Sequence, residues 1–198
     1  MKTAVHYFLL AIFMLQVSCT SGNKNETVSE KEENVSEQLT DSITVDERGY
    51  IVKVGDPAPN FTITTTTGER LSLSDLRGKV VMLQFTASWC GVCRKEMPFI
   101  ESDIWLKHKD NSDFYLLGID RDEPLETVLQ FTEQTGITYP MGLDPGADIF
   151  ALYADRKAGI TRNIIINREG RIVMLTRLYN EEEFREMCLK IEELLVSN

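Results

Sequence analysis

The chain has 198 residues, a formal net charge of −10 and four cysteines. That length holds one domain of ordinary size plus extra segments. A hydrophobic share of 42% supports a packed core and is too low for a multi-span membrane protein. With 21 Lys+Arg against 31 Asp+Glu, a nucleic-acid-binding surface is excluded as the main design. Four cysteines are too few for a disulfide-stapled mini-protein of this length.

The N-terminus reads as an export signal. Lys2 supplies the positive start, and Tyr7 to Val17 is an apolar run interrupted only by Gln16. The run is short of the about 20 residues a spanning helix needs. Its length suits a signal-peptide core; a buried N-terminal helix is the alternative. The run ends at Leu15-Gln16-Val17-Ser18-Cys19, a small residue before a cysteine. This resembles a bacterial lipoprotein cleavage site, which implies removal of residues 1–18 and lipidation of Cys19. Ordinary cleavage nearby, with Cys19 incidental, is the competing reading. Residues 19–50 carry three basic and eight acidic side chains and few large apolar ones. Such a segment buries too little surface to offset its ordering entropy. It reads as a flexible acidic linker, or as a short solvated helix near Glu30–Leu39.

From residue 51 to 198 the pattern is that of a folded domain. Gly55-Asp56-Pro57-Ala58-Pro59 is a turn cluster. Strands at 61–64 and 71–73, joined by Thr67-Gly68-Glu69, predict a hairpin. Residues 74–79 make a turn or short helix. Val80 to Phe85 is continuously apolar, as a strand buried on both faces should be. A helix follows over 91–107, with Met97, Ile100, Ile104 and Trp105 on its core side and a kink at Pro98. A strand at 114–119 precedes a helix at 124–134, with Pro124 at its start and Gly136 past its end. A short strand at 139–143, a short helix at 147–154, strands at 163–167 and 171–176, and an amphipathic helix at 181–196 complete the chain. This order predicts a mixed sheet covered on both faces.

The pair Cys90-Gly91-Val92-Cys93, preceded by Trp89, follows a buried strand and opens a helix. Cysteines at this spacing can close a small disulfide ring. At a helix start the first sulfur lies beside unpaired N–H groups and the positive end of the dipole. Both favour the thiolate of Cys90, the reactive form. Cys93, a turn further on, should be more buried and act as the resolving thiol. A structural zinc site wants four ligands, and the sequence offers no second such pair and only His6 and His108. A purely structural disulfide is the remaining alternative, though so short a loop constrains the unfolded chain little. Cys188, beside Met187 and Leu189, reads as a small buried hydrophobe.

Residues 54–198 resemble the thioredoxin superfamily, and within it the TlpA/ResA-like bacterial envelope thiol–disulfide oxidoreductases. The carrying stretches are Val54-Gly55-Asp56-Pro57-Ala58-Pro59-Asn60-Phe61, Gly78-Lys79-Val80-Val81, Phe85 through Pro98 around the cysteine pair, and Ile164-Ile165-Ile166-Asn167. The resemblance implies an α/β thioredoxin fold. Its central sheet is mixed with helices on both faces, an N-terminal β-hairpin extension and a central helix-containing insertion. It implies dithiol–disulfide exchange with Cys90 as nucleophile and Cys93 as resolver, flanked by Trp89, Gly91 and Val92. Glu96 falls where this group carries a glutamate that tunes the thiols; a solvated helix acid is the other reading. Gln84 aligns with the buried acid of thioredoxins and cannot titrate. Thr161, after Ile160, stands where the family has a cis-proline packed on the disulfide. The loop must pass the disulfide closely, so the Ile160–Thr161 bond is expected to be cis despite a cost of about 3–4 kcal/mol. An ordinary polar loop threonine is the alternative.

The resemblance also implies partners and place. The substrates would be disulfide-containing envelope proteins, reduced with electrons from a membrane thiol donor. The protein would be exported to the bacterial cell envelope as a periplasm-facing lipoprotein, touching the membrane through its lipid anchor alone. No cofactor, metal or nucleic acid is called for. Two other classes compete. A peroxiredoxin-like thiol peroxidase needs Thr or Ser and Arg around one cysteine, and Arg162 lies one place past the matching position. A non-catalytic thioredoxin-fold binding module is the second.

Overall fold

The computed structural model describes residues 46–197. The signal segment 1–18, Cys19 and linker residues 19–45 lie outside the described residues. Strands β1 (Thr62–Thr65) and β2 (Arg70–Ser72) form the expected antiparallel hairpin. Gly68, with φ 85°, supplies its turn. A 3-10 turn over Leu73–Leu76 leads toward β3 (Val80–Thr86), whose seven residues are all buried. Strands β4 (Phe114–Arg121), β5 (Met141–Asp144), β6 (Arg162–Ile166) and β7 (Ile172–Arg177) complete one sheet. Its order is β2-β1-β5-β4-β3-β6-β7, parallel within β5-β4-β3 and antiparallel elsewhere. A Cβ at Gly142 would lie 2.4 Å from Ile63 Cδ1, so glycine there lets the hairpin close on the sheet edge.

Helices α1 (Gly91–Ile100) and α2 (Leu106–His108) are joined by a π turn over Glu101–Trp105. Helices α3 (Leu125–Thr135) and α4 (Glu181–Val196) follow. The single helix expected over 91–107 is thus interrupted, and the ladder widens three residues after Pro98 rather than at it. Proline removes one donor, and the chain absorbs the loss in a wider turn. Gly136 ends α3 in the left-handed region at φ 70°. The short helix expected at 147–154 resolves instead as 3-10 turns at Pro145–Ala147 and Phe150–Leu152.

One sheet face meets α1, through Thr86 Oγ1 against Met97 Sδ at 3.5 Å. Helix α1 is flanked by α3, where Arg94 lies over the Phe131 ring, and by α4, where Phe99 meets Phe184. The opposite face carries Phe85 against Phe150 and Tyr153, with ring centroids 5.5 and 5.6 Å apart.

A strap at 46–50 closes that second face. The linker expected to run to residue 50 therefore stops short of it, because Tyr50 is 1% exposed. Its hydroxyl donates to the Thr176 carbonyl at 2.6 Å, and its N–H to Asp46 Oδ1 at 2.7 Å. One aromatic residue buries enough surface to order a short polar segment. Tyr50→Ala should cost the full chain about 3–5 kcal/mol, as removal of a buried aromatic does. Tyr50→Phe should cost about 1 kcal/mol. Urea unfolding midpoints of the two variants check this ranking.

Candidate active site

The chain leaves β3 at Thr86, turns through Ala87-Ser88-Trp89 and enters α1 at Cys90. Cys90 is the N-cap residue, in extended conformation, and its Sγ accepts the Cys93 N–H at 3.1 Å. Cys90 and Cys93 form a disulfide with Cα atoms 5.3 Å apart. Cys90 is 7% exposed and Cys93 fully buried, so the first sulfur is the reachable one. Trp89 is exposed at 63% and Val92 at 37%, giving the pair an apolar rim. The turn is anchored by an acid. Ser88 donates its N–H and hydroxyl to the two Glu123 carboxylate oxygens at 2.5 and 2.6 Å. The Ser88 carbonyl in turn accepts from Arg94 Nε at 2.7 Å.

Thr161 reaches the sulfurs from the loop before β6. Its Oγ1 lies 3.2 Å from Cys90 Sγ and 3.3 Å from Cys93 Sγ. The loop does pass the disulfide, as expected of the cis-proline position. The peptide geometry differs from expectation: there is no cis bond among the described residues, so Ile160–Thr161 is trans. A threonine has no ring to relieve the cis penalty, and in trans its hydroxyl takes the position against the sulfurs. Ile160 is buried behind it. Leu178, at φ 66° in the left-handed region, turns its N–H onto the Thr161 carbonyl at 3.2 Å.

Glu96 sits one helical turn past Cys93 and is 2% exposed, so the solvated reading does not apply. Its Oε1 accepts from Asn163 Nδ2 at 2.7 Å, and its Oε2 has no partner. Asn163 uses the same amide to reach Thr176 Oγ1 at 3.0 Å. Burial pushes the Glu96 carboxyl up to about 7; the Asn163 hydrogen bond opposes this and the Glu183 charge adds to it. Gln84 is buried on the same face and accepts from Tyr139 Oη at 2.6 Å.

Sequence reasoning missed Asp120 and Glu123. Asp120 pairs in register with Thr86 at the end of β4 and is fully buried. Burial, then the neighbouring Glu123 charge, pushes its carboxyl up to about 8. No motif announces this, because it depends on strand register. Arg162, weighed as a peroxidase arginine, does not join the sulfurs. Its guanidinium lies over the Tyr50 ring at 4.3 Å and donates to the carbonyls of Arg48 and Gly159 at 2.6 and 3.1 Å. Cys188 is half-buried and outside the site. Among the described residues no cluster of three or more His, Cys, Asp or Glu could hold a metal ion.

The Redoxin family model matches residues 53–189. The thiol–disulfide oxidoreductase ResA of Bacillus thuringiensis strain Al Hakam is 32% identical over 122 residues, covering 62% of this chain and 68% of that one. The Bacillus subtilis strain 168 ResA is 31% identical over 122 residues, 62% of this chain and 66% of its own. Among solved structures, one from Bacteroides thetaiotaomicron, described as a candidate protein disulfide isomerase, is 72% identical. It superposes with TM-score 0.74 over 75% of this chain and 94% of its own. A candidate thiol:disulfide interchange protein DsbE from Chlorobium tepidum gives TM-score 0.64 at 26% identity, over 73% of this chain and 99% of its own.

The raised Glu96 carboxyl has a thermodynamic signature. Its folded value of about 7 lies above the ordinary 4.5. Stability from the neutral form is therefore fully present below pH 4.5 and is lost as pH rises through about 7. Glu96→Gln should remove that loss. Relative to the parent, E96Q should gain about 3 kcal/mol between pH below 4.5 and pH above 7, at about 1.36 kcal/mol per pKa unit. Denaturant titrations of both proteins across that range measure the difference.

Proposed function

The chain belongs to the Redoxin family and is a ResA-like thiol–disulfide oxidoreductase, and we propose that it reduces protein disulfides with Cys90 as nucleophile and Cys93 as resolving thiol. The observation that supports the role assignment is the unequal burial of the two cysteines at the helix start. Cys90 is at the surface of the site and accepts the Cys93 N–H; Cys93 is shut behind it.

In the reduced enzyme the Cys90 thiolate attacks one sulfur of a substrate disulfide. A Cys90–substrate bond forms, and the first substrate thiolate leaves with the electron pair of the broken bond. Cys93 then loses its proton and attacks Cys90 Sγ. The Cys90–substrate bond breaks and the second substrate thiolate leaves. The substrate has gained two electrons and the Cys90–Cys93 disulfide has formed. Glu96, one turn from Cys93 and with its carboxyl at about 7, suits the acceptor of the Cys93 proton. Trp89 and Val92 offer the apolar rim on which a polypeptide substrate rests.

We place this activity at the cell envelope. The support is the export-type N-terminus, the lipoprotein-like Ser18-Cys19 junction and the resemblance to envelope oxidoreductases. Cys19 would anchor the protein, and a membrane thiol donor would return the pair to the dithiol form. Among the described residues no helix is long and apolar enough to cross a membrane.

With dithiothreitol as reductant, the purified protein should precipitate insulin by reducing its interchain disulfides. Cys90→Ala should bring the rate to the uncatalysed background. Pre-reduced Cys93→Ala, freed of dithiothreitol and mixed with insulin, should accumulate a mixed disulfide on Cys90, visible by mass spectrometry. Unchanged turnover in C90A would falsify the assignment.

A further inference from the structure

We propose that the Thr161 hydroxyl is a catalytic hydrogen-bond donor that follows the negative charge from Cys90 to Cys93 during exchange. The proposal rests on the reading that these two cysteines perform the exchange. Thr161 Oγ1 stands 3.2 Å from one sulfur and 3.3 Å from the other. Disulfide sulfurs carry no hydrogen, so the hydroxyl is the donor in this contact. Thr161 is 3% exposed, which keeps its single proton from solvent. A disulfide sulfur is a weak acceptor and a thiolate a strong one, so the bond strengthens when the pair is reduced.

The position of the hydroxyl is fixed from behind. The Thr161 carbonyl accepts from Leu178 N–H at 3.2 Å and from Arg177 Nη1 at 3.3 Å. The next residue, Arg162, is clamped by the carbonyls of Gly159 and Arg48. A proline at 161 would have no side-chain donor, so the threonine adds something the expected residue cannot supply.

The sequence of donations follows the charge. In the dithiol enzyme the Cys90 thiolate accepts from the Cys93 N–H and from Thr161. When Cys90 bonds to the substrate, the charge departs on the first substrate sulfur and the hydroxyl is released. Cys93 then gives up its proton, and its thiolate takes the hydroxyl bond. Attack of Cys93 on Cys90 expels the second substrate thiolate and restores the bridging contact. The hydroxyl itself is neither oxidised nor deprotonated.

The test compares the parent, Thr161→Val, which keeps the shape without the hydroxyl, and Thr161→Ser, which keeps the hydroxyl. The Cys90 pKa is read from the pH dependence of iodoacetamide alkylation, and the potential from equilibrium with glutathione. Loss of the donor destabilises the thiolate and hence the reduced form. T161V should raise the Cys90 pKa by about one unit, a tenfold loss of thiolate below the pKa. Its potential, where Cys90 is ionised, should fall by about 30 mV, the equivalent of tenfold in a two-electron couple. T161S should match the parent in both. If T161V fails to fold, Thr161→Ala reads the same two quantities. A hydroxyl-less variant with parental pKa and potential, or a serine variant shifted as far as valine, overturns the proposal while the oxidoreductase reading stands. A parent that does not exchange with glutathione overturns both.

Discussion

The antiparallel register of β3 against β6 is the constraint on which the sulfur site depends. Phe85 pairs with Arg162 at the end of that ladder. The turn that leaves β3 toward Cys90 and the loop that enters β6 from Thr161 must therefore meet at one sheet end. Neither approach is encoded locally. A slip of β6 by one residue would carry Asn163 to the face opposite Gln84 and move Thr161 off the sulfurs. Continuous burial of β3 and β6 makes such a slip costly, since every displaced side chain would have to repack.

The same register gathers polar groups where an apolar core would be expected. Gln84 and Asn163 are directly paired, and Asn163 holds Glu96 across from the sheet. Buried carboxyls of this kind remain folded by staying neutral. Near pH 7 Asp120, at about 8, is mostly neutral, and Glu96, at about 7, is divided between its neutral and ionised forms. The two occupy different parts of the site. Glu96 lies behind the buried sulfur, whereas Asp120 stands beside Glu123, the acid that anchors the turn carrying Cys90. Glu123 holds that turn through Ser88, while Glu96 is held by Asn163. The fold has given up stability at high pH in order to keep both indoors.

Much of this was legible in the sequence where the signal is local. The strand at 80–86, the cysteine pair on a helix start and the last helix are read from hydrophobic runs and caps spanning a few residues. Thr161 could be placed because its distance from the Ile164–Asn167 stretch fixes the loop. Its trans peptide follows from residue type, since a non-proline bond is trans by default, whereas the contact of its hydroxyl with sulfurs 68 and 71 residues earlier has no local signal. Tyr50 was hidden by its polar neighbours: composition averaged over a window conceals one aromatic anchor. Arg162 illustrates the same limit. Its residue type invited a peroxidase reading although it lies one place past the matching position, and the neighbouring ring of Tyr50 and two carbonyls decide its place. The Ser88–Glu123 contact joins the ends of two parallel strands and has no sequence signature at all.

The strap at 46–50 bears on where this domain can be cut. A recombinant fragment begun at residue 51, where composition alone puts the boundary, discards the Arg48 carbonyl and the Tyr50 ring. Arg162, which is wholly buried, would then keep the Gly159 carbonyl while losing its strongest oxygen partner and the aromatic face beneath it. Because Arg162 directly follows Thr161, the damage would arrive at the sulfurs as well as in the melting curve. A fragment begun at Asp46 keeps the clamp whole, so the choice of first codon decides whether a truncated protein reports the chemistry of the native one.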